Sequence, residues 1–432
     1  MNGADLLTSL PDGWRRVPLK ATADFAVSNV DKHSFDDELP VRLCNYTDVY
    51  KNDRVSPDME LMAATATPQE IERFHLEVGD VVITKDSESW NDIAIPAYVE
   101  GTADDFVCGY HLAFIRPRKG VLDGRFLLRC LQSRPVALQL ELEATGVTRY
   151  GLPKDAIGLA VLPLPPLPTQ RRIAHHLDRE TARIDGLIAE KERMLALLEE
   201  KRAALISRVV TRGLDPNAPL KPSGQEWLGE IPAHWPTTKF SWDIFISEGQ
   251  VDPEDDSFSE MILIAPNHIE SRTGQVIYKE TSADQGAISG KYLCRVGDVL
   301  YSKIRPALRK VALADQDCLC SADMYALRPS ERLLPQYLQY FLLSEDFSMW
   351  AELESARVAM PKINRETLSA IRIPVPPLQE QERIISEISK GTGRIDLQRR
   401  AIRGSVDLLK ERRAALITAA VTGQIPPEAM SG

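Results

Sequence analysis

No two of the six cysteines in this 432-residue chain are spaced as CxxC. Cys44, Cys108, Cys130 and Cys294 stand apart, and Cys318-Leu319-Cys320 is too tight for the usual zinc spacing. A zinc framework is therefore excluded, and buried free thiols in a reducing compartment are expected. No apolar run approaches the ~20 residues a membrane span needs. The opening MNGADLLTSLPDGW lacks both the basic start and the apolar stretch of a secretion signal. A cytoplasmic protein with no membrane partner is expected. The phosphate loop GxxxxGK[ST] is missing, which argues against ATP hydrolysis. Also missing are GxGxxG and the Asn/Asp-Pro-Pro-aromatic tetrad of adenine methyltransferases, because the Pro-Pro pairs here precede Leu or Glu. His175-His176 has no counterpart elsewhere, and Glu199-Glu200-Lys201 falls in a helical pattern where a solvated face is expected. No catalytic residue and no metal ligand are assigned.

A net positive charge is also lacking, because 62 acidic residues outnumber 52 basic ones. The net charge of −10 excludes a simple polycation that coats nucleic acid, although local Lys/Arg clusters can still bind it. The charge is unevenly spread. Residues 1–163 and 212–373 carry −8 and −6, whereas 164–211 and 374–432 each carry +2.

What the chain does have is an internal duplication. An offset of 211 residues, without a gap, superimposes Pro165-Pro166-Leu167 on Pro376-Pro377-Leu378 and Gln170 on Gln381. The same offset aligns Arg183-Ile184-Asp185 with Arg394-Ile395-Asp396, and Arg202 to Ile206 (RAALI) with Arg413 to Ile417. Upstream the repeat is looser. Pro11 to Trp14 resembles Pro232 to Trp235, and Val78-Gly79-Asp80-Val81 matches Val296-Gly297-Asp298-Val299, with Lys85 and Lys303 equally far beyond. Arg116-Pro117 matches Arg328-Pro329, and Leu152-Pro153-Lys154 resembles Met360-Pro361-Lys362. A frame is kept while loops change length.

The Pro-rich strings LPLPPLP (162–168) and IPVPPL (373–378) can continue neither a helix nor a central strand, so they punctuate the chain. After each, apolar residues recur at about 3.5. Ile388, Ile395, Ile402, Leu409 and Leu416 stand seven apart. Leu177, Ile184, Leu198 and Leu205 hold the equivalent stripe, interrupted by Lys191; beside it run Ile188, Leu195 and Val209, whose second-copy equivalents are Arg399, Val406 and Ala420. This seam predicts a coiled coil, with each helix on the order of 60 Å long. Lys191 aligns with Ile402 and Ile188 with Arg399, so the interruptions differ between copies. The two helices are expected to pair with each other, antiparallel. Gly391, Gly393 and Gly404 weaken the second helix.

The remaining blocks read as mixed α/β. Strands are expected at 80–84 and 298–302 and at 112–116 and 324–328, with helices at 124–133 and 335–344. Val-Gly-Asp reads as a turn whose glycine takes a positive φ.

The string PLPPLPTQRRIAHHLDRETARIDGLIAEKERMLALLEEKRAALISRVVTRG and its second copy, PVPPLQEQERIISEISKGTGRID…LLKERRAALITAAVTGQI, resemble the helical regions of type I restriction–modification specificity subunits. The resemblance implies an α+β chain with a pseudo-two-fold internal repeat. Two mixed α/β target-recognition domains (1–163 and 213–373) would be joined by two antiparallel coiled-coil helices (164–212 and 374–425), before a flexible tail (426–432). It implies a non-catalytic reader of a bipartite target in double-stranded DNA, with two methyltransferase subunits and restriction subunits as partners. S-adenosylmethionine, ATP and Mg would be held by those partners and no cofactor by this chain. Pro168-Thr169 and Arg171 depart from the family's usual helix entry. The alternatives are a self-contained methyltransferase or nuclease fusion, and a solitary DNA-reading scaffold without a restriction partner.

Base edges call for Arg, Lys, Asn and Gln, and phosphates for Lys, Arg and hydroxyls. The loops after the repeated strands therefore supply the candidate contacts. In the first block these are Lys85, Ser87, Asn91, Arg149, Tyr150 and Lys154. In the second they are Lys303, Arg305, Arg309, Lys310, Arg357 and Lys362.

Overall fold

The computed structural model describes residues 7, 10–356 and 361–430, which fall into two compact units: 1–191 with 404–432, and 192–403. Among the described residues no helix is long and apolar enough to cross a membrane.

The first unit is organised by one strand pair. Val81–Thr84 runs antiparallel to Leu112–Pro117, with Phe114 opposite Val82. Ala23–Val27 flanks this pair on one side, and Pro96–Val99 and then Arg54–Val55 on the other, making five strands. The run Val81-Val82-Ile83-Thr84 is buried on both faces, so it reads as continuously apolar rather than alternating. Because strand side chains alternate, the faces serve different cores. Val81, Ile83, Ala113 and Ile115 join a core built with the helix Gly124–Gln132. Val82, Leu112 and Phe114 join a second core over the small sheet of Leu39–Cys44, Met62–Ala66 and Phe106–Cys108.

The second unit repeats the scheme. Val299–Ser302 pairs antiparallel with Met324–Pro329, between Ile244–Ile246 and Val311–Leu313. Val299, Tyr301, Tyr325 and Leu327 face a core that includes the helix Pro335–Leu343, while Leu300, Met324 and Ala326 face another. The Val-Gly-Asp turns enter both central strands. Gly79 and Gly297 hold φ of +102° and +89°, as the turn requires. The aspartates that follow are buried and accept bidentate bonds from the repeated arginines. Arg116 donates to Asp80 at 2.9 and 2.7 Å, and Arg328 to Asp298 at 2.8 and 2.7 Å.

Two long helices, Leu167–Arg212 and Leu378–Val421, contribute to both units. A buried glutamine anchors the start of each. Gln170 Nε2 donates to the carbonyls of Val121 and Pro165 at 3.0 and 2.9 Å, and its Oε1 accepts from the Asp123 amide. Gln381 does the same with Arg332, Pro376 and Leu334. In the first unit Ile173 and Leu177 share a core with Ile417, Ala420 and Val421. In the second, Ile384 and Ile388 share one with Ile206, Val209 and Val210. The start of one helix thus lies beside the end of the other in each unit. Every residue expected in the apolar seam is buried or half-buried, including Ile188, Leu195, Leu198, Ile402 and Leu409.

Two expectations need correction. Residues 427–430 were expected in a flexible tail but form a 3-10 turn, with Met430 buried in the first unit's core. Glu199 was expected on a solvated face but lies 2.6 Å from Arg399, which interrupts the apolar seam and is nearly buried. That guanidinium also meets Asp396 and Glu270, each at 3.3 Å.

Within the second unit the RAALI arginine Arg202 bonds the RID aspartate Asp396, and within the first Arg413 bonds Asp185 at 2.9 Å. Arg202 and Asp396 are 3% and 15% exposed, and Asp185 is 48% exposed. Removing one partner of a buried pair strands the other, so Asp396→Ala should cost about 3–5 kcal/mol in denaturant unfolding. Asp185→Ala should cost under about 1 kcal/mol. Gly391 supplies a second contrast, because a Cβ there would lie 2.3 Å from Leu205 Cδ2, whereas Gly393 has open space around it. Gly391→Ala should destabilise by about 1–3 kcal/mol through overpacking, and Gly393→Ala should stabilise by up to ~1 kcal/mol through helix propensity. Equal unfolding midpoints for the two glycine variants would contradict this packing.

Candidate functional site

In each unit three segments meet where the central strand pair ends. Lys85 follows the strand Val81–Thr84; its amide donates to the His111 carbonyl at 3.0 Å and its carbonyl accepts from the Leu152 amide at 2.8 Å. Lys303 repeats this with the Asp323 carbonyl at 3.0 Å and the Ile363 amide at 2.9 Å. Both ammonium groups lie over an aromatic ring: Lys85 at 4.8 Å from Tyr110, Lys303 at 5.2 Å from Tyr325. Burial pushes the Lys303 ammonium below its ordinary pKa, with Asp323 opposing that effect. The sequence motif that repeats therefore marks a structural junction from which unlike loops project.

In the first unit the structure brings the candidates together. Ser87 pairs with Tyr150 across the short strands Asp86–Ser87 and Tyr150–Gly151. Arg149 is exposed beside them, and Lys154 is exposed at the start of the helix Lys154–Leu159. Asn91 is exposed and accepts from the Ser89 hydroxyl at 2.6 Å. These loops border a cleft of about 410 Å³ lined by Tyr46, Tyr50, Asp86, Ser87, Glu88, Asp92, His111 and Arg149. Tyr46 and Tyr50, one helical turn apart, stack with centroids 5.4 Å apart. The Tyr50 hydroxyl donates to Asp92 at 2.8 Å, which raises the phenol's pKa. Asp86 lies 2.8 Å from His111 Nδ1 and 3.2 Å from Lys85 Nζ.

In the second unit the candidates divide. Arg305 and Lys362 are exposed, and Ile304 bridges to Lys362. Arg305 and Arg309 both hold φ of +47°, a left-handed backbone conformation unusual for arginine, on either side of the turn Pro306–Leu308. Arg309 points inward. Its side chain is 10% exposed, 3.8 Å from Glu345, and burial together with Arg272 lowers its pKa. Lys310 Nζ donates to the Pro266 carbonyl at 2.6 Å. Arg309 and Lys310 are thus engaged in holding the loop. Arg357 lies outside the described residues.

Sequence reasoning missed Tyr46, Tyr50, Asp92 and His111. The Tyr46/Tyr50 spacing of four was a readable signal for one helix face. The approach of Asp92 and His111 depends on tertiary structure. Among the described residues no group of three or more His, Cys, Asp or Glu could hold a metal ion.

Residues 269–404 match the family model described as the type I restriction modification DNA specificity domain. The chain is similar to the type I restriction enzyme EcoDI specificity subunit of Escherichia coli, with 29% identity over 277 residues. That alignment covers 61% of this chain and 62% of the relative, so the chain spans less than two thirds of that relative. The putative MjaX specificity subunit of Methanocaldococcus jannaschii is 20% identical over 362 residues, covering 83% and 81% of the two chains. Among solved structures, one reported for complex assembly and conformational transition of the type I R-M system matches with TM-score 0.67 and 20% identity, covering 96% of this chain and all of that one. The HsdS subunit of Thermoanaerobacter tengcongensis matches with TM-score 0.50 and 19% identity, covering 96% and 98%. At these identities the structures speak for the mixed α/β fold with a long helix.

The division of the second loop is testable without a ligand. Lys310→Met should lower stability by about 1–3 kcal/mol, because the Pro266 carbonyl loses a charged donor. Lys362→Met should stay within about 0.5 kcal/mol of the parent. Thermal or denaturant unfolding checks both, and the reverse order would contradict the assignment.

Proposed function

We propose, on the premise that this chain belongs to the DNA specificity family of type I restriction–modification systems, that it is the non-catalytic subunit that reads the target sequence. One recognition domain reads each half of a bipartite site: residues 1–163 for one, 213–373 for the other. The helical segments 164–212 and 374–425 form an antiparallel coiled coil that relates the two as a pseudo-two-fold repeat and docks two methyltransferase subunits. Restriction subunits complete the assembly. Methyl transfer uses S-adenosylmethionine on the methyltransferase, and cleavage uses ATP and Mg on the restriction subunit.

The observation that carries this reading is the shared junction with unlike loops. Lys85 and Lys303 sit in the same hydrogen-bonded frame, yet one loop continues as DSESWN and the other as IRPALRK. A common frame with divergent loops suits a molecule that must present two different readouts in one format. The DNA contacts are drawn from Lys85, Ser87, Asn91, Arg149, Tyr150 and Lys154 on one head and Lys303, Arg305 and Lys362 on the other. Arg309 and Lys310 support the second loop. Such side chains suit phosphates and base edges in the major groove.

Two half-sites read by a single protein keep one rotational phase on a duplex of ~10–10.5 base pairs per turn. Methylated positions mapped in DNA from cells carrying this chain and its neighbouring methyltransferase should therefore form a bipartite motif with a fixed spacer. Exchanging residues 213–373 for the block of a relative should change one half only. A single contiguous motif, or both halves changing together, would contradict the proposal, as would methylation by the purified chain alone.

A further inference from the structure

The cleft of the first unit is chemically unsuited to the contact that dominates most DNA interfaces. Asp86, Glu88 and Asp92 all line it, and carboxylates repel phosphate. Two of the three are already occupied: Asp86 by His111 and Lys85, and Asp92 by the Tyr50 hydroxyl. Glu88 and Arg149 remain. Both are exposed, both line the cleft, and among the described residues neither makes a hydrogen bond or ion pair. The cleft thus offers one open carboxylate acceptor and one open guanidinium donor beside a stacked tyrosine pair.

A base pair that satisfies both groups must show an amino donor next to acceptors. In the major groove a C·G pair does so, with the cytosine N4 amino group beside guanine O6 and N7. A carboxylate accepts from the first, and a guanidinium donates bidentately to the second. An A·T pair also has an amino donor, but it offers the guanidinium no O6/N7 pair and adds a thymine methyl. We infer that Glu88 and Arg149 form the specificity pair for one C·G base pair in the half-site read by the first unit. Glu88 accepts from cytosine N4 and Arg149 donates to the guanine. This inference rests on the DNA-reading function proposed above and goes further by naming the base pair and the two side chains. The equivalent loop of the second unit, Lys303 to Lys310, contains no carboxylate, so it cannot read cytosine in this way.

The test uses the purified complex of this chain with its methyltransferase partner. Competition binding is measured on duplexes that carry each of the four base pairs at every position of both half-sites. The parent complex should prefer C·G at one position of one half by roughly ten- to a hundred-fold, the range of a good bidentate contact. Glu88→Gln should shift that position toward A·T, since an amide can both accept from adenine N6 and donate to N7. Arg149→Ala should flatten the preference there. Both variants should keep the parent's preferences in the other half, which also reports that the complex is folded. If the parent complex binds a bipartite site but that half has no C·G requirement, or neither variant alters it, the inference falls and the reading function stands. If the parent complex shows no sequence preference at all, both fall.

Discussion

The face of each central strand pair that carries the odd-numbered residues has to be kept from water, and the long helices help to do this. Val81, Ile83, Ala113 and Ile115 in one unit, and Val299, Tyr301, Tyr325 and Leu327 in the other, are buried there. A buried aliphatic or aromatic side chain of this size is worth about 1.5–3 kcal/mol relative to exposure. The helix positions that join these cores correspond at an offset of 211 residues: Ile173 with Ile384, Leu177 with Ile388, Ile206 with Ile417. Neither core is complete with one helix, because each draws on the start of one and the end of the other. The duplicated helix is therefore part of each unit's fold.

Apolar packing alone leaves the register of two helices loosely specified. The ion pairs between the RID and RAALI motifs narrow it. Arg202 with Asp396 and Arg413 with Asp185 join the same motif positions, drawn from opposite helices in the two units. The pair in the second unit sits in a charged cluster with Arg399, Glu199 and Glu270, which lets a seam position hold arginine where the other copy holds Ile188. Buried pairs of this kind add little net stability over hydrophobic residues, since desolvation offsets most of the attraction. Their contribution is to penalise a slipped register, in which a charge would be buried alone. Gly391 acts in the same direction, because a Cβ at that position would displace the Leu205 side chain packed against it.

Most of this frame was legible in the sequence because it is periodic or repeated. The central strands, the helices that follow them and the positive φ of Gly79 and Gly297 fall where the repeated motifs put them. The seam was legible because one face of each helix is apolar. The candidate site was legible only as two stretches of loop. Sequence could place Lys303, Arg305, Arg309 and Lys310 together but could not say which way they point. That direction depends on Glu345 and the Pro266 carbonyl, 36 and 44 residues away from their partners. Likewise Tyr50 meets Asp92 and Asp86 meets His111 over separations of 42 and 25 residues, which no local pattern encodes.

The repeated lysine shows where the shared frame ends and the unlike loops begin. Lys85 and Lys303 recur at one spacing after Val-Gly-Asp, which on its own invites a binding role. Each lies over a tyrosine ring, and its backbone ties three segments together. A cation held over a ring is worth about 0.5–2 kcal/mol, more when desolvated, so moving it to a phosphate gains less than moving a free lysine would. Recurrence here reflects the junction, and difference reflects what the junction presents. Past it, one loop is acidic and aromatic while the other is basic, with two arginines in the left-handed region. Both units carry net negative charge, so the DNA-reading function proposed above would rest on the few side chains at the loop tips that are not committed to the frame.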